Sequence, residues 1–125
     1  MTTIVNPAGS PTIIYNLSGI TVVSVTASGT SQATAAIIPN ASGHTIANVT
    51  IPDSSNFCVI LPSGSEIGDV VEVYAPTDTH EINVFPDSGS TILGLAMNAG
   101  VNPATAGMGF IFRKIGASSW GAVGS

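Results

Sequence analysis

Few residues of this chain could do chemistry, and only one group of them is close together in sequence. Asp78-Thr79-His80-Glu81 would place Asp78 and His80 on one face of an extended strand, where the pair could hold a metal or exchange a proton. The alternative is a polar loop tip after Pro76. His44 follows a Ser-Gly turn and is either a polar flank of that turn or a ligand. A symmetric trimer could bring three copies of either histidine to an axis, where their nitrogens could bind a metal. Because the polar alternatives account for both histidines, we assign no catalytic, metal-binding or cofactor-binding residue.

The lone cysteine and the sequence motifs argue against an enzyme. Cys58 lies in the most apolar run of the chain, residues 57–61, with no base or cation beside it in sequence to lower the thiol pKa. It is expected to be a small buried hydrophobe, and a single cysteine forms no intrachain disulfide. The sequence has no G-x-S-x-G, G-x-G-x-x-G, P-loop or H-E-x-x-H motif. We therefore expect no enzymatic activity.

Arg113 and Lys114 are the only lysine or arginine residues, and as neighbours on a strand they should point to opposite faces. Two alternatives stay open for Arg113: an ion pair at an interface, or a solvated strand edge that discourages strand addition. Trp120, with Phe110 and Phe112, is expected to form the core of a C-terminal hairpin that turns at residues 116–118; the alternative for Trp120 is a stacking platform for sugar.

Charge is scarce and unevenly distributed. Residues 1–52 contain no aspartate, glutamate, lysine or arginine, and the whole chain has a net charge of −5 with 44% hydrophobic residues. A soluble monomer normally carries a mixed charged surface, so we expect much of this surface to face another protein. The acidic balance argues against nucleic acid, and polar residues interrupt every apolar run before it could span a membrane. The N-terminus lacks the features of a secretory signal, so synthesis in a cytoplasm is expected.

The pattern of apolar residues predicts an all-β fold. Val, Ile and Thr alternate with polar residues, and Pro/Gly/Asn/Asp/Ser clusters recur every eight to twelve residues. We predict a single-domain β-sandwich or jelly-roll-like barrel over residues 12–125. Its strands are expected at residues 12–16, 20–26, 32–38, 45–51, 57–61, 69–75, 81–85, 91–93, 108–115 and 119–123. The similarity of Ile51-Pro-Asp-Ser-Ser55 to Phe85-Pro-Asp-Ser-Gly89 is interpreted as shared turn chemistry.

Residues 1–11 are predicted to be an extended N-terminal arm, because two prolines and a glycine within five residues disfavour a packed strand. Ile4 and Val5 would be its apolar anchors. An arm that becomes ordered on binding adds contact area without belonging to the core. The predicted partner-binding residues are Ile4, Val5, Pro7, Pro11 and Arg113.

The second half of the chain resembles a β-module of tailed-bacteriophage virion proteins. The resemblance covers about residues 61–123. This segment looks most like the small capsid decoration, or cement, proteins, and secondarily like modules of tail fibres. Its motifs are structural glycines, prolines and apolar residues: Leu61-Pro62, Gly68-Asp69-Val70-Val71-Glu72-Val73, Ile82-Asn83-Val84-Phe85-Pro86, Ser88-Gly89, Ile92, Gly94-Leu95, Asn98, Val101, Phe110 and Trp120.

This resemblance implies a structural protein of the virion. Decoration proteins are typically homotrimers that sit on the outer capsid surface and clamp adjacent major capsid protein subunits, and the resemblance brings no catalytic residues or cofactor. The expected partners are therefore copies of this chain and a major capsid protein. A chain of 125 residues without a shaft-like repeat suits decoration better than a fibre. The rival hypothesis is a receptor- or glycan-binding module of a phage tail fibre or spike.

Overall fold

The computed structural model describes residues 12–17, 19–40, 43–75, 82–102 and 109–124. These residues form an all-β structure, as predicted, and within them no helix is long and apolar enough to cross a membrane. The predicted strand at 32–38 is divided into a 3-10 turn, Gln32–Thr34, and a short strand. The strands are β1 (Thr12–Leu17), β2 (Ile20–Thr26), β3 (Ala36–Ile37), β4 (His44–Thr50), β5 (Cys58–Ile60), β6 (Val70–Tyr74), β7 (Asn83–Phe85), β8 (Thr91–Ile92), β9 (Gly109–Gly116) and β10 (Ser119–Gly124).

Successive strands from β2 to β8 alternate between two sheets. The strands β2, β4 and β6 lie side by side and parallel in a seven-stranded sheet, while β3, β5 and β7 do the same in a three-stranded sheet. Each passage through both sheets is one coil. In the large sheet, His44 lies beside Ile20, 24 residues earlier, and Val70 lies beside His44, 26 residues earlier. Strands that return in parallel after each coil define a β-solenoid.

The solenoid interior is filled by stacked side chains of matching position in successive coils. Thr21, Thr45 and Val71 form one buried row of the large sheet, and Val23, Ala47 and Val73 form the next. Side chains from both sheets belong to one hydrophobic cluster. The turns stack as well: the Phe57 amide donates to the Gly29 carbonyl, and the Asn83 amide donates to the Phe57 carbonyl. Both side-chain rows and backbone bonds therefore run from coil to coil.

The prediction of a β-sandwich or jelly-roll-like barrel was wrong, although most strand positions were right. Alternating apolar residues and regular turns are common to antiparallel sandwiches and parallel solenoids, so they do not tell how strands pair. A solenoid is recognised by its repeat, but the aligned surface positions Ser24, Asn48 and Tyr74 differ from coil to coil. The two similar Pro-Asp-Ser turns follow strands of different sheets, which fits the interpretation as turn chemistry.

Antiparallel strands flank the parallel coils of the large sheet. At one side β1 pairs antiparallel with β2. At the other side β9 pairs antiparallel with β6 and with β10, and the short β8 pairs in parallel with β10 at the edge. The predicted C-terminal hairpin is confirmed as β9–β10, with Phe110 and Phe112 stacked at 5.7 Å between ring centroids. Trp120 is fully buried in the core, so the sugar-platform alternative for this residue is wrong.

Candidate functional site: the outer face of the large sheet

The outer face of the large sheet is a broad surface with little charge. Because side chains alternate along a strand, the residues between the buried rows point outward. On β2 and β4 the most exposed of them are Ser24, Thr26, Asn48 and Thr50. From β2 across to β10, Glu72 and Arg113 are the only Asp, Glu, Lys or Arg side chains on this face among the described residues. The outer face of the large sheet is therefore continuous and carries little charge.

The end of this face near the C-terminus exposes large apolar side chains around a single cation. We name Leu93, Ile111, Arg113, Ile115 and Val123 the C-terminal outer patch. Ile111 is 41% exposed, Ile115 46%, Val123 70% and Leu93 72%. Ile111 and Val123 are directly opposite each other on β9 and β10, and the Leu93 amide donates to the Trp120 carbonyl at the β8 side. Apolar side chains that a core would normally bury thus surround Arg113 on the surface.

Glycines shape the surface around these side chains. Gly121 lies opposite Arg113, and the methyl group of Ile115 comes within 3.4 Å of where a Gly121 Cβ would be. A groove of about 160 Å³ opens beside the patch, lined by Tyr74, Gly109, Ile111, Val123 and Gly124. The Tyr74 ring lies so close over Gly109 that a Cβ there would come within 2.3 Å of it. The groove is mainly apolar and could hold one side chain of a partner.

His44, Glu72 and Tyr74 form a hydrogen-bonded group on the same face. One carboxylate oxygen of Glu72 pairs with His44 Nε2, and the other accepts a hydrogen bond from the Tyr74 hydroxyl. Burial disfavours the Glu72 carboxylate, but the bonds from Tyr74 and His44 and the charge of His44 outweigh it and lower the carboxyl pKa. The bond to Glu72 raises the pKa of Tyr74. Both carboxylate oxygens of Glu72 are thus engaged within the chain.

Lys114 lies on the opposite side of the sheet from Arg113, as predicted. It is 3% exposed; its Nζ lies 3.8 Å from Asp87 Oδ1 and 4.9 Å from the centre of the Trp120 ring. Trp120 Nε1 donates to the same Asp87 oxygen at 2.9 Å. The three side chains satisfy each other on the inner side of the C-terminal hairpin, so Lys114 is a structural group and not a surface cation.

The structure describes only some of the residues that the sequence predicted to be functional. Ile4, Val5, Pro7 and Pro11, the arm at residues 1–11 and the candidate pair at residues 78–81 lie outside the described residues. Arg113 is exposed on β9, but β9 is paired on both sides, so the strand-edge alternative is wrong. Cys58 is buried as expected, and burial raises the pKa of its thiol.

Two partnerships were missed by sequence reasoning. His44 lies 28 residues before its partner Glu72, and Asp87 lies 33 residues before Trp120. Only the coil repeat, which puts His44 beside Val70 and Ile46 beside Glu72, would have revealed the first contact. Within the described residues, no group of three or more His, Cys, Asp or Glu side chains is arranged to hold a metal ion.

Comparison of the chain with protein-family models, curated proteins and solved structures finds no match.

Proposed function

We propose that this chain is a structural, non-enzymatic virion protein that assembles as a homotrimer on the outside of a phage capsid and stabilises contacts between major capsid proteins. The observation that carries the proposal is the outer face of the large sheet. Its β2 and β4 strands present uncharged polar side chains, and its β9 and β10 strands present exposed apolar ones. Interface cores are depleted in charge in the same way.

The area available supports an assembly role. The chain exposes 6202 Å², and a specific protein–protein interface buries on the order of 800 Å² per partner. A trimer subunit that also touches a capsid needs at least two such contacts, which we expect one long face with little charge to supply. The stacked coils give this face a rigid backbone, because each outward side chain is held between neighbours in adjacent strands.

Binding to purified undecorated capsids tests the proposal. The protein should co-sediment with capsids at a fixed ratio to the major capsid protein. Thr50→Lys, which introduces a charge on the outer face of β4, should weaken this binding by about tenfold or more, because it places an unpaired charge in an interface core. Ser63→Lys is the matched control, since Ser63 is exposed in the turn between β5 and β6. Failure of the wild-type protein to bind any capsid of its own phage would contradict the proposal.

A receptor- or glycan-binding module of a phage tail fibre or spike is the second candidate. The observation that favours it is the solenoid itself, because coils stacked in one direction build extended modules with broad lateral binding surfaces. Incubating labelled protein with host cells and with capsids separates the two functions. Cell binding that a soluble glycan competes away, without capsid binding, would favour the receptor module.

A further inference from the structure

The parallel strands of each sheet have two ends, and in the described part of the chain three of these four ends are covered by an antiparallel segment. In the large sheet, β1 covers β2 and β9 covers β6. In the small sheet, Val84 of β7 exchanges two backbone hydrogen bonds with Val101, which lies antiparallel to it. The fourth end is β3, and no described segment pairs with its outer edge. The first coil is thus covered in the large sheet and open in the small one.

The backbone of Ile37 is directed to this open edge. The Ile38 amide donates to the Ile60 carbonyl of β5 at 3.0 Å. Because the N–H and C=O groups of successive residues point to opposite sides of a strand, those of Ile37 point away from β5. Ile37 is also 67% exposed, whereas Ile38 is fully buried. An edge that presents both backbone polar groups and an apolar side chain is a template for pairing with another strand.

The segment that precedes β1 starts at the same side of the first coil. β1 is antiparallel to β2, with Thr12 opposite Ser24. The direction of β1 therefore points the preceding residues toward Thr26, where β2 ends and the chain turns into the small sheet. Packed sheets lie about 10 Å apart, and five extended residues reach about 16 Å. Residues 7–11 are thus long enough to cross from one sheet to the other beside this turn.

The composition of the N-terminal segment fits a corner next to a strand. The two prolines and the glycine of residues 7–11 favour the corner, because proline gives no amide to a ladder and glycine accepts the backbone angles of turns. Residues 2–6, Thr-Thr-Ile-Val-Asn, are rich in β-branched side chains, which favour strands. Since side chains alternate along a strand, one of Ile4 and Val5 would face the interior and the other would lie on the outer side, as Ile37 does.

We propose that residues 2–6 pair antiparallel with β3 of the same chain and form the fourth strand of the small sheet. The covered ends all have an antiparallel segment, and a segment that leads into β1 around the corner has the same direction. The added strand covers an edge that would otherwise be open to pairing with other chains. Ile4 and Val5, which the sequence predicted to bind a partner, then belong to the sheet of their own chain.

Amide hydrogen exchange of Ile37, followed by NMR in the wild-type protein, tests this pairing. The Ile37 N–H points away from β5, so a segment on the open edge is needed to protect it. The Ile38 amide, which is bonded to Ile60, is the reference in the same strand. We expect the Ile37 amide to exchange at least about tenfold more slowly than the same amide in an unstructured peptide. Exchange at the rate of the unstructured peptide overturns the proposal.

Two variants test which residues give this protection. Deletion of residues 2–6 should raise the exchange rate of the Ile37 amide at least about tenfold and leave the reference amide nearly unchanged. Ile4→Ser combined with Val5→Ser keeps the chain length and should also raise the rate about tenfold, which decides the matter if the shorter chain does not fold. Ile67→Ser is the matched control, because Ile67 is 68% exposed in the turn before β6 and should leave the Ile37 rate unchanged.

Two further results would overturn the proposal in distinguishable ways. Protection of Ile37 that persists in both variants means that another segment covers the edge. Protection that appears only when the protein is concentrated means that a second copy covers it, and sedimentation at the same concentrations reports that association. Neither result bears on binding to capsids, so the pairing and the proposed function are tested separately.

Discussion

Lys114 and Arg113 are neighbours on β9, but they lie on opposite sides of the large sheet in different surroundings. Lys114 is enclosed by Asp87 and Trp120 on the inner side of the C-terminal hairpin. Arg113 is exposed among Ile111, Ile115, Leu93 and Val123. Removing a buried charge from its partners costs several kcal/mol, whereas exposed charges contribute little to folding. The inner side of the hairpin should therefore determine stability, and the outer side should determine what the protein binds.

The largest expected effect on stability comes from the inner side. Trp120→Ala removes a fully buried ring and also the donor to Asp87, so it should lower the free energy of unfolding by about 3–5 kcal/mol. Trp120→Phe keeps most of the ring but not the Nε1 donor, and should cost about 1–3 kcal/mol. Urea unfolding followed by circular dichroism measures both. If the unfolding midpoint of Trp120→Ala equals that of the wild type, Trp120 does not hold the hairpin.

Removal of Asp87 should have the next largest effect. Asp87→Ala leaves Lys114 buried without its carboxylate and Trp120 Nε1 without its acceptor, at an expected cost of about 3 kcal/mol. Glu66→Ala is the matched control, because Glu66 is an exposed carboxylate, and it should change stability by less than about 0.5 kcal/mol. Equal unfolding midpoints for the two variants would contradict a structural role for the buried group.

The same contrast explains how far sequence reasoning could go. Alternation along a strand sufficed to put Arg113 and Lys114 on opposite faces and to bury Trp120, because these outcomes depend only on local periodicity. Alternation alone does not show which face of the strand is buried, so the role of Arg113 stayed open. The partner of Lys114, Asp87, lies 27 residues earlier in the turn after β7, and nothing in the local sequence links the two.

Strand pairing was the part of the fold that sequence patterns did not predict. Each segment that the sequence predicted to be a strand includes an observed strand, although some observed strands are shorter. The pairing of these strands differs, because the expected sandwich is a parallel solenoid with antiparallel strands beside it. The inward rows keep similar residues from coil to coil, such as Thr21 and Thr45, but the outward rows vary. The outward residues differ from coil to coil, which is why the repeat is not visible in the sequence. These same outward residues form the candidate interface.

A smaller effect on stability is expected on the outer face, next to the groove. Gly109→Ala introduces a Cβ within 2.3 Å of the Tyr74 ring, which must shift, and should cost about 1–3 kcal/mol. Gly116→Ala is the control in the same strand, because its Cβ would meet Ser119 at an ordinary distance of 3.5 Å. Thermal melting compares the two variants. A Gly109→Ala protein as stable as Gly116→Ala would mean that Tyr74 is free to leave the groove wall.

The smallest expected effect is the pH dependence from Glu72. Its carboxyl pKa is lowered in the folded protein by Tyr74 and His44 despite burial, so folding favours the ionised form. The resulting stability is present above the unfolded-state pKa of about 4.3 and is lost as the pH falls through the lower folded-state value. Wild type and Glu72→Gln should differ by less than about 1 kcal/mol near neutral pH, because the group is partly open to water. The difference should shrink on acidification below the unfolded-state pKa, and melting curves of the two proteins from neutral to acidic pH measure it. A difference that stays constant over this range would mean that Glu72 does not contribute as a carboxylate.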